Sequence, residues 1–163
     1  MAFTRIKIAE DRNEVLQKMM SWCAYQERSQ DEAMRKLAGF GLSDDDAAEL
    51  IARLISENFI NEERFALAFA GGKFRIKQWG RIKIRSALRL HKISDYSIKK
   101  ALAAIDAQDY ENTMVKLIEK KLQTLKAGDT RRQFYSTLSY MVSRGFESDL
   151  ATEQLNTILH DNI

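Results

Sequence analysis

Seven cationic side chains fall between Gly71 and Leu90 with no acid among them: Lys73, Arg75, Lys77, Arg81, Lys83, Arg85 and Arg89. Phe74 and Trp79 are interleaved with them, and Gly80 divides the run. A guanidinium presents a planar fork of N–H donors that matches phosphate or carboxylate oxygens, so this density of arginine suits an extended anion. Arg81, Arg85 and Arg89 recur every fourth residue and share one stripe of a helix, with Ile84 and Leu88 on an apolar stripe. Like charges at that spacing repel by about 0.2–0.5 kcal/mol per pair, and no acid in the run offsets the cost. A charged run is ordinarily a solvated face; the uncompensated repulsion favours a binding surface for DNA or an acidic protein. Lys120, Lys121, Arg131 and Arg132 form a secondary basic surface, diluted by Glu119 and Asp129.

Other side chains with chemical potential lack partners. His91 and His160 have no second ligand at helical spacing, so neither is expected to hold a metal. Cys23 sits beside Trp22 on an apolar face, where a packed thiol is expected rather than a nucleophile. Asp44, Asp45 and Asp46 are consecutive and fan out around a helix, which suits its positive N-terminal end rather than one ion. Gly71-Gly72-Lys73 is too short to cradle phosphates. No catalytic residue, cofactor or metal is expected, and enzyme activity is not expected.

Composition narrows the class. Of 163 residues, 45% are hydrophobic and 30% charged, which excludes wholesale disorder. Proline is absent, where average usage would give roughly eight, as suits a chain built almost wholly of helix. One cysteine points to a reducing compartment, and no apolar run reaches the length of a signal peptide or a membrane span. A soluble, cytoplasmic monomer is expected. The net charge of +3 conceals a polarity: residues 29–70 hold four basic and nine acidic side chains, residues 71–105 ten basic and one acidic. Such asymmetry suggests directed binding.

The elements that carry these residues are read from periodicity and caps. Helices are predicted over 11–26, 29–38, 43–57, 61–76, 80–90, 94–105, 110–126, 130–143 and 148–160, with residues 1–10 loosely held. Ser29 with Glu32, and Thr130 with Gln133, read as capping boxes. Gly41 reads as a left-handed helix stop. Shifted by 51 residues the chain matches itself: Leu37 meets Leu88, Leu42 meets Ile93, Ser43-Asp44 meets Ser94-Asp95, Ile51 meets Leu102 and Asn61 meets Asn112. A further shift of 53 sets Leu88 on Met141, Ile93 on Phe146 and Leu102 on Leu155. Matches at core and cap positions alike signal a repeated unit. The expected fold is all-α, tandem three-helix repeats in an elongated, curved array. The expected divisions are 1–27 for an N-terminal segment and helix, 28–78 and 79–127 for two repeats, and 128–163 for a third, incomplete one.

A helix-turn-helix reading of 80–90 and 94–105 is also open. Its reader helix would begin Ser94-Asp95-Tyr96-Ser97, which offers few donors for base edges and an acid facing phosphate.

Several segments resemble the RecX regulators of bacterial recombination. They are Arg28-Ser29 with Glu32 and Leu37, the run Asn58-Phe59-Ile60-Asn61-Glu62-Glu63-Arg64-Phe65-Ala66, and Gly80, Ile84 and Leu88 followed by Lys92-Ile93. Residues 27–105 carry the likeness; beyond them only the repeat pattern continues it. Asn61-Glu62 departs from the acidic pair the family prefers, and Lys92 stands where it often has glycine. The resemblance implies a helical repeat protein that binds the RecA recombinase filament on DNA and inhibits its ATP hydrolysis and strand exchange. It implies that the seven cations of 71–90 contact DNA phosphates or acidic filament residues. The acidic 29–70 segment would meet basic loops of the recombinase. The competing readings are a stand-alone DNA binder of helix-turn-helix type and a helical scaffold that binds protein alone.

Overall fold

Short polar side chains at regular intervals start the helices, because each can accept from a backbone N–H that the first turn leaves unpaired. The computed structural model describes residues 12–161, so the expectation for 1–10 lies outside the described residues. Along them run α1 (Arg12–Tyr25), α2 (Gln30–Ala38), α3 (Asp44–Ser56), α4 (Glu62–Lys77), α5 (Arg81–Leu90), α6 (Asp95–Ala103), α7 (Ala107–Leu122), α8 (Thr130–Ser143) and α9 (Ser148–Asp161). Strands are absent among the described residues. Ser29 and Glu32 form the reciprocal capping box, at 3.1 and 3.2 Å. Ser43, Asn61 and Ser94 cap α3, α4 and α6.

One predicted start and one predicted cap are corrected. The helix expected from 110 begins at Ala107, capped by Asp106, whose carboxylate accepts from the Asp109 N–H at 2.9 Å. Asn112 therefore lies inside α7 and is no counterpart of the Asn61 cap. The cause is that α6 has 9 residues where α3 has 13, so the following cap arrives early. At α8 the cap is Asp129, accepting from Arg132 N–H at 3.0 Å, and Thr130 is the first helical residue.

The matched positions do the same work in each repeat. Leu37, Leu88 and Met141 are wholly buried, and Ile51, Leu102 and Leu155 are buried with them. Each turn between the second and third helices carries one left-handed residue at the matched position: Gly41, Lys92 and Gly145, with φ of 76°, 59° and 92°. Lys92 takes this conformation as a non-glycine residue, at a steric cost.

Packing sets the phase of the repeat. Val15, Leu16, Met19 and Cys23 of α1 close with α2, α3 and Ile60 into one core. A second, larger core runs from Phe65 through Leu155 across α4 to α9. Within it α4 packs on α5 and α6, and α7 on α8 and α9. The modules are thus α1–α3, α4–α6 and α7–α9. The expected divisions at 28, 79 and 128 run one helix out of phase, because a periodic match fixes the length of a repeat and not where it starts.

Two joints connect the modules. At the first, the α5–α6 turn meets the start of α2. Lys92 pairs with Asp31 at 3.2 Å, His91 Nδ1 lies 3.6 Å from Glu32, and Arg64 pairs with Glu27 at 2.6 Å. At the second, the α8–α9 turn meets the start of α5, and the apolar core continues beneath it.

Candidate anion-binding interface on the middle module

Helix α5 presents the arginine stripe because Ile84 and Leu88, both wholly buried, fix its rotation. Its first turn has no side-chain cap, since Gly80 has none to offer. The third module supplies the partners instead. Gly80 N–H donates to Arg144 O and Ile82 N–H to Gly145 O, each at 2.9 Å, and Arg81 N–H donates to Tyr110 Oη at 3.1 Å. Glycine is required on both sides of this crossing. A Cβ on Gly80 would stand 2.3 Å from the Gly145 carbonyl carbon, and one on Gly145 would stand 2.3 Å from Lys83 Cβ.

Arg81 closes the joint. Its guanidinium pairs with Glu147 at 2.7 Å and lies 3.8 Å from the Tyr110 ring centre, with both charged side chains about three-quarters buried. The Tyr110 hydroxyl donates to the other Glu147 oxygen. Burial, then that hydrogen bond, pushes the phenol above its ordinary range. Sequence spacing suggested three equivalent arginines without acids nearby; Arg81 is instead held by an acid 66 residues away.

Arg85 and Arg89 project from the same stripe toward solvent. With Arg81, Asp95 and Lys99 they line an open groove of about 610 Å³ between α5 and α6, floored by Ile98, Leu102 and Ile105. Arg85 has no ion pair among the described residues. Arg89 faces Asp95 at 3.7 Å with both side chains mostly exposed, a contact that contributes little in high dielectric. The groove keeps a cationic excess.

The remaining cations of the run gather around Trp79. Lys73 lies 5.0 Å and Lys83 4.6 Å from its ring centre. Arg75 and Lys77 are exposed on the last turn of α4, with Arg75 folded back over Gly71. Arg144 grips that helix end by donating to the carbonyls of Lys77 and Gln78. Tyr140 has Arg144 at 5.8 Å and Lys121 at 5.2 Å from its ring centre. Lys120 is exposed on α7. Arg131 stands by Tyr135, and Arg132 lines a separate groove along residues 124–133.

The start of α6 is held by Glu62. Its carboxylate accepts from Ser94 N–H at 3.1 Å and from the Ser94 and Ser97 hydroxyls at 2.8 Å each. Burial alone would raise this carboxyl; the hydrogen bonds from Ser97 and Ser94 outweigh it and hold the group below its ordinary value. His91 lies between Phe65 and Phe69, 5.2 Å from each ring centre. Burial raises the Cys23 thiol.

Lys99, Arg144, Glu147 and Tyr110 were not among the expected site residues. Glu147 left a trace in the self-match, standing where Ser43 and Ser94 cap the corresponding helices, but the other three carry no local signal.

Fold and site together define a class: an all-α tandem repeat of three-helix modules whose middle module carries an arginine-lined groove. A family model described as the RecX second three-helix domain matches residues 61–102, the span of α4 to α6. The chain is 28% identical over 150 residues to "Regulatory protein RecX" of Prosthecochloris aestuarii, covering 91% of this chain and 96% of that one. It is 30% identical over 124 residues to the protein of that name from Clostridium perfringens, of whose length it spans 58%. The crystal structure of RecX from Lactobacillus salivarius shares the fold, with a TM-score of 0.84 over 95% of this chain and 99% of that one at 21% identity. The chain belongs to the RecX family of regulatory proteins. No helix among the described residues is long and apolar enough to cross a membrane.

Proposed function

We propose that this protein binds a RecA-type recombinase filament assembled on DNA and lowers its ATP hydrolysis and strand exchange by occupancy, with no chemistry of its own. The observation that carries the reading is the cationic excess of the α5–α6 groove, where Arg85, Arg89 and Lys99 face one exposed acid. Family membership supplies the partner. Lys73, Arg75, Lys77 and Lys83, clustered on the last turn of α4 and around Trp79, add contacts to the DNA backbone or to filament carboxylates. Lys120 and Lys121 extend them. Arg81 serves in positioning, since its guanidinium is spent on Glu147 and Tyr110. The acidic first module meets basic loops of the recombinase, and the reading implies a cytoplasmic protein.

Sequence-specific readout by α6 is disfavoured. The Ser94 and Ser97 hydroxyls, which a helix-turn-helix reader would turn toward base edges, are both committed to Glu62, and Asp95 beside them repels phosphate. The test is recombinase ATPase on single-stranded DNA with and without the protein. The wild type is expected to lower turnover near stoichiometry. The double variant Arg85→Ala/Arg89→Ala is expected to relieve the inhibition with an unchanged melting temperature. Unchanged turnover at stoichiometric excess of wild type refutes the proposal, and a double variant that inhibits fully removes the groove from it.

A further inference from the structure

The same joint is used twice within the chain. In each case the turn between the second and third helices of one module seats on the loop and first helical turn that open the second helix of the module before it. The α5–α6 turn sits at 27–32 through His91 and Lys92, with Arg64 of α4 pairing with Glu27 beside them. The α8–α9 turn sits at 77–82 through Arg144, Gly145 and Glu147. Among the described residues, one such turn and one such receiving loop carry no joint. The spare turn is 39–42, with Gly41 in the left-handed conformation that Lys92 and Gly145 share. The spare receiving loop is 123–133, and it forms an open groove of about 500 Å³ lined by Leu125, Lys126, Asp129 and Arg132 among others. Among the described residues, no other segment of this chain lines it.

The charges of the spare parts match. The second joint sets a cation in the first turn of α5, Arg81, against an acid just past the incoming turn, Glu147. The spare parts have the same sense. Arg131 and Arg132 lie in the first turn of α8, while Asp44 and Asp45 lie just past the 39–42 turn, and all four are exposed. Asp46, the third acid, is taken by Arg12. The Asp129 carboxylate that also lines the groove is occupied in capping α8, where it accepts from Arg132 N–H.

We infer that a second copy of this chain seats its 39–42 turn in the 123–133 groove, so that copies associate head to tail. Turn and groove belong to different modules, so the contact is heterologous, and copies joined by it extend as a series wherever the rotation between them does not close a ring. Within the chain, the tether supplies each joint at high effective concentration; between chains that help is missing, so the association is weak in free solution and strengthens when copies share a track. The inference does not depend on the proposed partner, and its test contains neither recombinase nor DNA.

The test is sedimentation equilibrium of the full chain from about 10 µM to about 1 mM, the range in which a weak contact is read. The weight-average mass is expected to rise continuously above 18.8 kDa with no plateau at a dimer. The variants Asp44→Lys/Asp45→Lys and Arg131→Glu/Arg132→Glu, each with wild-type circular dichroism and melting, are expected to stay at the monomer mass alone. Mixed in equal amounts they are expected to associate again, because each turn then meets a groove of opposite charge. A constant 18.8 kDa for wild type across the range, a closed dimer indifferent to both charge reversals, or a mixture that stays monomeric overturns the inference.

Discussion

Removing one oxygen from Tyr110 tests whether the second joint is what holds the arginine helix in place. Tyr110→Phe leaves the ring packed on Phe74 and Phe146, 5.7 and 5.3 Å between centres, with the Arg81 guanidinium still above it. The hydroxyl alone is lost, and with it the acceptor for Arg81 N–H and a donor to Glu147. An unmet buried donor costs about 1–3 kcal/mol and a hydrogen bond to a charged group contributes about 1.5–3 kcal/mol. The two overlap in one atom, so the net loss is about 2–3 kcal/mol. For α4–α9, a unit of about 100 residues, that lowers the melting temperature by roughly 8–24 °C. The first module has its own core, so calorimetry is expected to show the shift in the transition of α4–α9 and none in that of α1–α3. Adding Glu147→Gln in the Tyr110→Phe background is expected to cost less than in the wild type, with a coupling of about 1 kcal/mol. A shift of the α4–α9 transition below about 1 °C refutes the reasoning, as does strict additivity of the two changes.

Three more outcomes follow from the same geometry. Gly145→Ala forces a Cβ against Lys83 at a left-handed residue; it is expected to destabilise α4–α9 by about 3 kcal/mol or more in urea unfolding, while Gly72→Ala, inside α4 where a Cβ meets nothing, is expected to stabilise by about 0.5–1 kcal/mol. Glu62 has a carboxyl held below its ordinary value of 4.5, so its contribution is complete above that value and is lost as pH falls through the lowered one. Wild-type stability is therefore expected to fall on acidification below about pH 4 more steeply than that of Glu62→Gln, measured by urea melts at each pH. Lys73→Ala/Lys83→Ala is expected to leave the fold intact and to flatten the salt dependence of DNA binding, by about 0.7 in log–log slope for each single-strand phosphate that is no longer neutralised.

Helix content and order were legible because their signals are local. A cap at Ser29, Ser43, Asn61 or Ser94 and a stripe such as Ile84 with Leu88 act within one or two turns, so each can be read without knowing what packs against it. The errors fell where distance along the chain matters. Asn112 looked like a cap because it matched Asn61 in register, and only the shortening of α6 made Asp106 the cap. Arg81 looked like its neighbours Arg85 and Arg89, since nothing within helical reach is acidic; Glu147 reaches it only through the α8–α9 turn. Glu62 reads as a first-turn acid facing the helix dipole, and its grip on Ser94 and Ser97 belongs to the packing of α4 on α6.

By itself the sequence determined an all-helical chain, a unit repeated about every fifty residues, and a cationic run with an acidic segment ahead of it. These follow from hydrogen-bond capping, side-chain period and charge count, all of which act between near neighbours. Tertiary structure alone decided which three helices make a module, which arginine is bound inward and which two face solvent, and where one module's turn seats on the next. Those outcomes depend on burial and on charges brought together across tens of residues, and no local pattern encodes them.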